Sequence, residues 1–151
     1  MTTTDHEVTT VVLAQHQDVA GRLSAVASAT GADRSAEFAS LAALLTAHET
    51  AEQSVIYPAL RKLGGEGTRI ADERISEETA AKDTLTKLQA MDTGSEEFER
   101  LFSEFSAKVH AHAASEEAHV IPLLTQSTTP EDRQAMGDAF LSAQQGAPST
   151  R

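Results

Sequence analysis

Two segments of the chain repeat one spacing of histidine, glutamate and proline. Residues 47–60 read AHETAEQSVIYPAL, and residues 111–124 read AHAASEEAHVIPLL. A histidine and a glutamate four residues apart share one face of an α-helix, and imidazole nitrogens and carboxylate oxygens are both ligands for divalent metals. The repeat therefore predicts metal binding. The paired positions are His48 with His112, Glu52 with Glu116, and Pro58 with Pro122.

The ionisable residues of the repeat fall on apolar helical faces. A helix turns by roughly 100° per residue, which places Leu41, Leu45 and Val55 on the same side as His48. The same count centres one ionisable residue on the apolar face of every long helix. An unpaired buried charge costs several kcal/mol, whereas one or two divalent metals would satisfy the whole set. The predicted metal ligands are His16, His48, Glu52, Glu78, His112 and Glu116.

Glu78 and the surroundings of the ligands have alternative interpretations. Lys82 lies one turn after Glu78 and is predicted to face inward, so an ion pair would explain both residues without a metal. If Glu78 faces solvent, Glu77 replaces it. His6 and His110 are expected in solvent. The residues predicted to surround the ligands are His119, Lys82 and Tyr57, although Tyr57 is also explained by packing alone.

The elements that must position these residues are helices. Long segments with apolar residues at helical spacing are separated by clusters of Gly and Pro. This pattern predicts an all-α, antiparallel up-down four-helix bundle with a short fifth C-terminal helix. Ser35 and Ser95 are the expected N-caps of the second and fourth helices, and Thr129 with Pro130 begins the fifth. Proline should disturb the second and fourth helices. The predicted ranges are 5–28, 35–63, 68–90 and 96–124, within a bundle domain 1–145 and a disordered tail 146–151.

Composition excludes several classes of function. Acidic residues outnumber basic ones 23 to 12, the net charge is −11 and no block of Lys or Arg is present, so we expect no nucleic acid and no membrane partner. The absence of cysteine excludes disulfides, thiol catalysis and cysteine-bound zinc. Because the N-terminus has no signal-peptide pattern, we expect a cytoplasmic protein. We also expect a monomer or a weak homodimer.

On these motifs the sequence resembles the hemerythrin-like, or HHE cation-binding, family. That family has a histidine on the first helix, H-x3-E on the second, a histidine in an acidic run on the third and H-x3-E on the fourth. The resemblance covers about residues 5–125 and the short C-terminal helix, and the YPAL and IPLL endings match as well. The resemblance implies two irons bridged by Glu52 and Glu116. Zinc or manganese are the alternatives to iron.

The sequence departs from the family on the third helix. Glu78 occupies the position of the family's histidine, and the helix holds no histidine at all. The ligand set is then three His and three Glu, not the five His and two carboxylates of the oxygen carriers. Anionic oxygen donors favour Fe(III) over Fe(II). The resemblance therefore implies reaction with O2, peroxide or NO, with oxidase- or peroxidase-like activity, scavenging or sensing, and not reversible O2 carriage.

Two other functions fit the same residues. One is a non-catalytic protein that holds a single metal, because the change at Glu78 would disable one of two sites. The other is a metal-free helical interaction module, in which the buried carboxylates pair with protonated histidines.

Overall fold

The computed structural model describes residues 6–145, which form helices and contain no strand. Two five-residue π segments, Glu52–Ile56 and Glu116–Val120, join α-helices into longer rods over 31–61 and 96–127. These two rods and the helices Val8–Ser28 and Gly65–Gln89 form the predicted four-helix bundle, and a fifth helix follows the second rod. The α-helices are α1 (Val8–Ser28), α2 (Gly31–Ala51), α3 (Tyr57–Arg61), α4 (Gly65–Gln89), α5 (Glu96–Ser115), α6 (Ile121–Ser127) and α7 (Pro130–Gln145).

Two predicted helix starts are confirmed by their caps. The Ser95 hydroxyl accepts a hydrogen bond from the Phe98 amide at 3.1 Å. At the start of α7, the Asp132 amide donates to the Thr129 hydroxyl at 3.0 Å, and the Thr129 amide donates to the Asp132 carboxylate at 3.1 Å. Such reciprocal bonds satisfy amides that the first helical turn leaves free.

The prediction of Ser35 as the N-cap of the second helix is wrong. That helix begins at Gly31, only two residues after α1 ends, and Ser35 lies within its first turns. Arg34 makes the tight connection feasible because its guanidinium donates to the carbonyls of Val26 and Ala29, at 3.2 and 2.8 Å. These bonds satisfy carbonyls that the end of α1 would otherwise leave free.

Each π segment ends two residues before a helical proline. The amide of Tyr57 donates to the Glu52 carbonyl, and the amide of Ile121 donates to the Glu116 carbonyl, each five residues back. Proline has no amide hydrogen, and its ring crowds the carbonyl four residues earlier. The wider turn relieves that crowding, so the predicted disturbances take the form of π turns that begin at the glutamate of each repeat.

Two apolar clusters form the core, one on each side of the layer of ionisable residues. The cluster on the α7 side includes Val8, Tyr57, Leu60 and Phe140. The other contains Phe98, Phe102 and Phe105, which confirms their predicted place in the core. The predicted tail 146–151 lies outside the described residues. Within residues 6–145, no helix is both long enough and apolar enough to cross a membrane.

Candidate metal centre

The structure brings the six predicted ligands together in the middle of the bundle. They form two sets, and in each set one ligand-type atom per residue lies within 4.8 Å of the others. Glu52 and Glu116 belong to both sets, so the two groups share their carboxylates. The first set is completed by His16 and His48 and the second by Glu78 and His112.

The three carboxylates of this cluster are almost completely removed from solvent. Glu52 is 0% exposed, and Glu78 and Glu116 are each 1% exposed. Glu78 therefore faces the interior, and the alternative position Glu77 is half-buried at the edge of the cluster. Three carboxylates in a low-dielectric core require compensation by protons or cations.

Each histidine directs Nε2 to the centre of the cluster. His16 Nε2 lies 2.9 Å from Glu116 Oε1, and His112 Nε2 lies 3.1 Å from Glu78 Oε2. His48 Nε2 lies 2.9 Å from Glu52 Oε2. All three rings thus present the same nitrogen to one small region, as ligands of a common metal centre must.

The outward nitrogen of each ring is held by a polar neighbour. Nδ1 of His16, His48 and His112 lies 2.9, 2.8 and 2.6 Å from oxygens of Glu117, Gln15 and Glu77, respectively. A hydrogen bond from Nδ1 to an oxygen orients each ring and, once Nε2 carries no proton, leaves the Nε2 lone pair free for a metal, which is the arrangement around metal-bound histidines.

Tyr57 lies among the three carboxylates. Its side chain is fully buried, and its hydroxyl is 2.5 Å from Glu116 Oε2, 2.8 Å from Glu78 Oε2 and 3.3 Å from Glu52 Oε1. In a regular α-helix, Tyr57 would lie about 140° around the axis from Glu52. The π turn brings it back to the same face, so the residue predicted to surround the ligands does contact them.

Among the described residues 6–145, two buried polar atoms of the first set find no hydrogen-bond partner: His48 Nε2 and Glu52 Oε2. The Gln15 carbonyl oxygen fixes the proton of His48 on Nδ1, so Nε2 carries a lone pair. That lone pair and a carboxylate oxygen face one another at 2.9 Å, outside hydrogen-bond geometry. A cation between them would satisfy both atoms, and the nitrogen and oxygen donors suit iron, zinc or manganese.

The pKa values of the two shared carboxylates, Glu52 and Glu116, are shifted in opposite directions. Burial, reinforced by Glu116 and Glu78, raises the pKa of Glu52 well above its usual value. Burial also opposes ionisation of Glu116, but hydrogen bonds from His112 and His16 hold its pKa well below the usual value.

The histidines diverge in the same way. Burial lowers the pKa of His48 to about 4. Burial would also lower the pKa of His112, but hydrogen bonds to Glu116, Glu52 and Glu78 raise it instead. The metal-free cluster thus keeps protons on some groups to balance charge on the others.

Two residues predicted to lie around the ligands do not. Lys82 is exposed and forms no ion pair with Glu78, whose partners are Tyr57, His112 and Gln53. His119 is also exposed, because the π turn that begins at Glu116 advances through a smaller angle per residue and leaves it outside. The solvent positions predicted for the two remaining histidines, His6 and His110, are confirmed.

Sequence reasoning missed the polar residues that hold the rings. Gln15, Glu77 and Glu117 each stand next to a proposed ligand in the sequence, but helical periodicity places such neighbours roughly 100° away and gives no reason to choose them. It also missed Glu49, a half-buried neighbour of His48 whose pKa is raised to about 8 by burial. In the sequence, the only sign of these residues was that each polar side chain lies close to a predicted ligand.

Comparisons with known proteins place this arrangement in a family. The model of the hemerythrin HHE cation binding domain matches residues 3–124. An uncharacterized hemerythrin-like protein of Schizosaccharomyces pombe is 31% identical over 97 residues, which are 64% of this chain and 48% of that protein. The chain thus spans about half the length of this curated relative.

A solved structure shares the fold. It is the crystal structure of a hemerythrin HHE cation binding domain-containing protein, the Rv2633c homolog from Mycobacterium kansasii. The two chains align with a TM-score of 0.79 and 22% sequence identity, over 90% of this chain and 83% of the other. Because the family model covers most of the sequence, the chain belongs to the hemerythrin HHE cation-binding family.

Proposed function

We propose that the chain is a non-haem di-iron protein that reacts with O2, peroxide or nitric oxide and does not carry O2 reversibly. Glu52 and Glu116 would help to hold both irons, His16 and His48 would complete one set of ligands, and Glu78 and His112 would complete the other. Two bound irons would supply the electrons for reduction of such small molecules. The observation that carries the proposal is the pair of four-residue sets with two carboxylates in common.

The residues of the chain divide the remaining tasks. The oxygens beside Nδ1 of each histidine orient the rings. Tyr57 holds a proton among the three carboxylates and is the nearest hydroxyl donor to Glu116. The flanking apolar clusters help to keep the shared carboxylates Glu52 and Glu116 out of water, which strengthens the electrostatic interactions that these two groups make.

The third carboxylate is the reason for favouring reaction over carriage. Glu78 supplies a buried anionic oxygen where the family's usual residue is a neutral imidazole. Additional negative charge stabilises the more highly charged Fe(III) and lowers the reduction potential. Oxidation by O2 or peroxide then becomes more favourable, and return to Fe(II) less so.

Iron reconstitution under anaerobic conditions tests the proposal. We expect two irons per chain by metal analysis, and an absorption change in a stopped-flow spectrophotometer after mixing with O2, hydrogen peroxide or nitric oxide. A protein that loads two irons but releases O2 unchanged on evacuation would be a carrier. One that loads no metal would contradict the proposal altogether.

A single-metal protein is the second candidate, because one observation favours it. His48 belongs only to the first set, and its Nε2 faces Glu52 Oε2 with neither atom hydrogen-bonded, whereas His112 and Glu78 in the second set already contact one another at 3.1 Å. The first set would then hold iron, zinc or manganese, and the second set would keep its ion pair. One metal per chain at saturation would identify this case.

A further inference from the structure

A cavity of about 310 Å³ opens directly beside the cluster. Glu52 and Glu116 do not line it, so the cavity approaches the cluster from the side of the terminal ligands. A molecule inside it would therefore touch the proposed metal centre without displacing either of the shared carboxylates. Four of the six proposed ligands form its inner wall: His16, His48, Glu78 and His112.

The rest of the wall is mainly apolar and comes from all four helices of the bundle. Leu101 and Val109 pack against the core but remain only partly buried, so apolar surface faces the cavity. Protein interiors are close-packed, and unfilled volume costs stability. A void of this size beside a reactive cluster therefore suggests a ligand. Other apolar lining residues are Val19, Leu23, Leu45 and Phe105.

The volume of the cavity limits the size of that ligand. An apolar protein cavity of about 150 Å³ holds one benzene molecule, so this one accepts roughly twice as many heavy atoms, about eight to twelve. That volume lies at the lower end of the range for small-molecule pockets, which are typically apolar with a few polar groups at one end. O2, peroxide and nitric oxide are far smaller than the space provided.

The charges of the lining disfavour an anion. Glu104 and Lys108 lie one turn apart at the exposed rim, where their charges offset one another, and Glu77 and Glu78 add negative charge further in. The chain as a whole carries −11. The imidazoles of His16 and His112 are already paired with carboxylates of the cluster, so a carboxylate ligand would lose its hydration without gaining a free cationic partner.

We propose that this cavity binds an uncharged aliphatic molecule, such as a medium-chain alcohol or alkyl hydroperoxide, with its oxygen-containing end against the cluster. The aliphatic chain lies between Leu45, Phe105 and Val109, and the polar end lies beside His16 and His112. Binding follows from the shape and lining of the cavity alone. Its role as the substrate site rests on the proposed function.

Calorimetric titration of the full-length protein, with and without iron, tests this inference with 1-octanol as the probe. We expect 1-octanol to bind both forms, and octanoate to bind the metal-free form at least tenfold more weakly. Ala81→Phe places a ring in the cavity and should weaken octanol binding at least tenfold. Ala43→Phe, at an exposed position of α2 away from the cavity, should leave it unchanged.

Thermal unfolding of each variant establishes that it is folded, and Val109→Phe replaces Ala81→Phe if that variant is not. Equal octanol binding by parent and filled-cavity variants would overturn the inference, as would octanoate binding as tightly as octanol. Iron stoichiometry, measured separately, distinguishes the two proposals. Octanol binding without iron loading would contradict the proposed function alone, and iron loading without octanol binding would contradict this inference alone.

Discussion

At the scale of single residues, the proposal that the protein reacts with O2 and does not carry it depends on Glu78. It is buried, it accepts a hydrogen bond from Tyr57 at 2.8 Å, and it contacts His112 at 3.1 Å. Glu78→His keeps a ligand at this position but exchanges an anionic oxygen for a neutral nitrogen. The irons lose about one unit of compensating negative charge. We expect a higher reduction potential by redox titration and slower oxidation in air.

Glu78→Ala removes the donor completely. Since the second set would then keep three donors, we expect iron content to fall from two towards about one per chain, by analogy with other incomplete metal sites. Lys82→Ala is the matched control, because Lys82 is exposed and makes no ion pair with Glu78. If both Glu78 variants bound and oxidised iron like the parent, Glu78 would not be a ligand.

Tyr57 offers a prediction that separates the metal-free and metal-bound states. Its hydroxyl has one proton to share among three carboxylates, so in the metal-free protein Tyr57→Phe removes the equivalent of one hydrogen bond to a buried acidic group, worth about 1.5–3 kcal/mol. Bound cations would compensate these carboxylates instead. We expect urea unfolding to show a loss of about 2 kcal/mol without metal and a smaller loss with it. An equal loss in both states would mean that Tyr57 only fills space.

Helical geometry accounts for the success of the sequence at this scale and for its failures. The six predicted ligands were found because a rotation of roughly 100° per residue places each on an apolar face, and the α-helix before each of them is regular, with Glu52 and Glu116 standing at the very start of the π segments. The same arithmetic failed for His119, which lies inside a π turn, and for Lys82, whose flexible chain reaches solvent from the edge of its face.

At the scale of elements, the π turns and α7 shape the cluster. Proline positions made a disturbance predictable, but not its kind, because a kink, a break and a π turn all relieve the same clash. The wider turn is what brings Tyr57 onto the face of Glu52. Helix α7 was predicted by its start, yet its packing against the cluster depends on contacts between distant parts of the chain.

Helix α7 positions His48 although it lies beyond the residues that match the family model. The ring of Phe140 packs edge-on against the imidazole of His48, with centroids 5.6 Å apart. Gln144 donates to Gln15 Oε1 at 2.7 Å, and the same oxygen accepts the Nδ1 hydrogen of His48 at 2.8 Å. Helix α7 therefore orients the proposed ligand His48 directly through Phe140 and indirectly through Gln15.

The variant Gln144→Ala tests this relay. Loss of a group that orients a metal-bound histidine typically weakens metal binding by about 10- to 100-fold, and we expect a decrease in that range by competition with a chelator. Gln145→Ala is the control, because Gln145 is adjacent but exposed. Far-UV circular dichroism should show α7 intact in both variants. Equal metal affinities would contradict the relay.

At the scale of the whole molecule, metal binding is coupled to stability. A ligand that binds only the folded state stabilises it, by about 4 kcal/mol at a thousand times its dissociation constant. The negative charge of the chain adds a long-range attraction for cations. We therefore expect chelation to lower the midpoint of thermal unfolding by several degrees, as measured by scanning calorimetry. An unchanged midpoint would favour the metal-free interaction module.

The fold as a whole was predictable because its determinants are local. Periodic apolar faces, caps at Ser95 and Thr129, and glycine-rich connections are read along the sequence without knowledge of distant contacts. The cavity beside the cluster was not predictable. The cavity exists because the side chains of four helices do not fill the space between them. How distant residues such as Leu23 and Val109 pack cannot be inferred from any one segment of the sequence.

The protons of the metal-free cluster make metal binding dependent on pH. Glu52 and His112 both have a raised pKa, so each keeps its proton to a higher pH than usual, and a metal ligand must release that proton. Below those raised values, every proton released increases apparent affinity by about tenfold per pH unit. Affinity should therefore rise with pH through the neutral range. His48, with a pKa of about 4, is already neutral there and contributes nothing to this dependence.

Calorimetric titration of zinc into the metal-free protein, in buffers with different ionisation enthalpies, measures this release. Zinc avoids redox chemistry and suits the same nitrogen and oxygen ligands. The apparent heat should vary linearly with the buffer's ionisation enthalpy, with a slope of about one to two protons for each chain saturated. Lys82→Ala, remote from the cluster's hydrogen bonds, should give the same slope. Identical heats in every buffer would show that the ligands are already deprotonated, in contradiction to the raised pKa of Glu52 and His112.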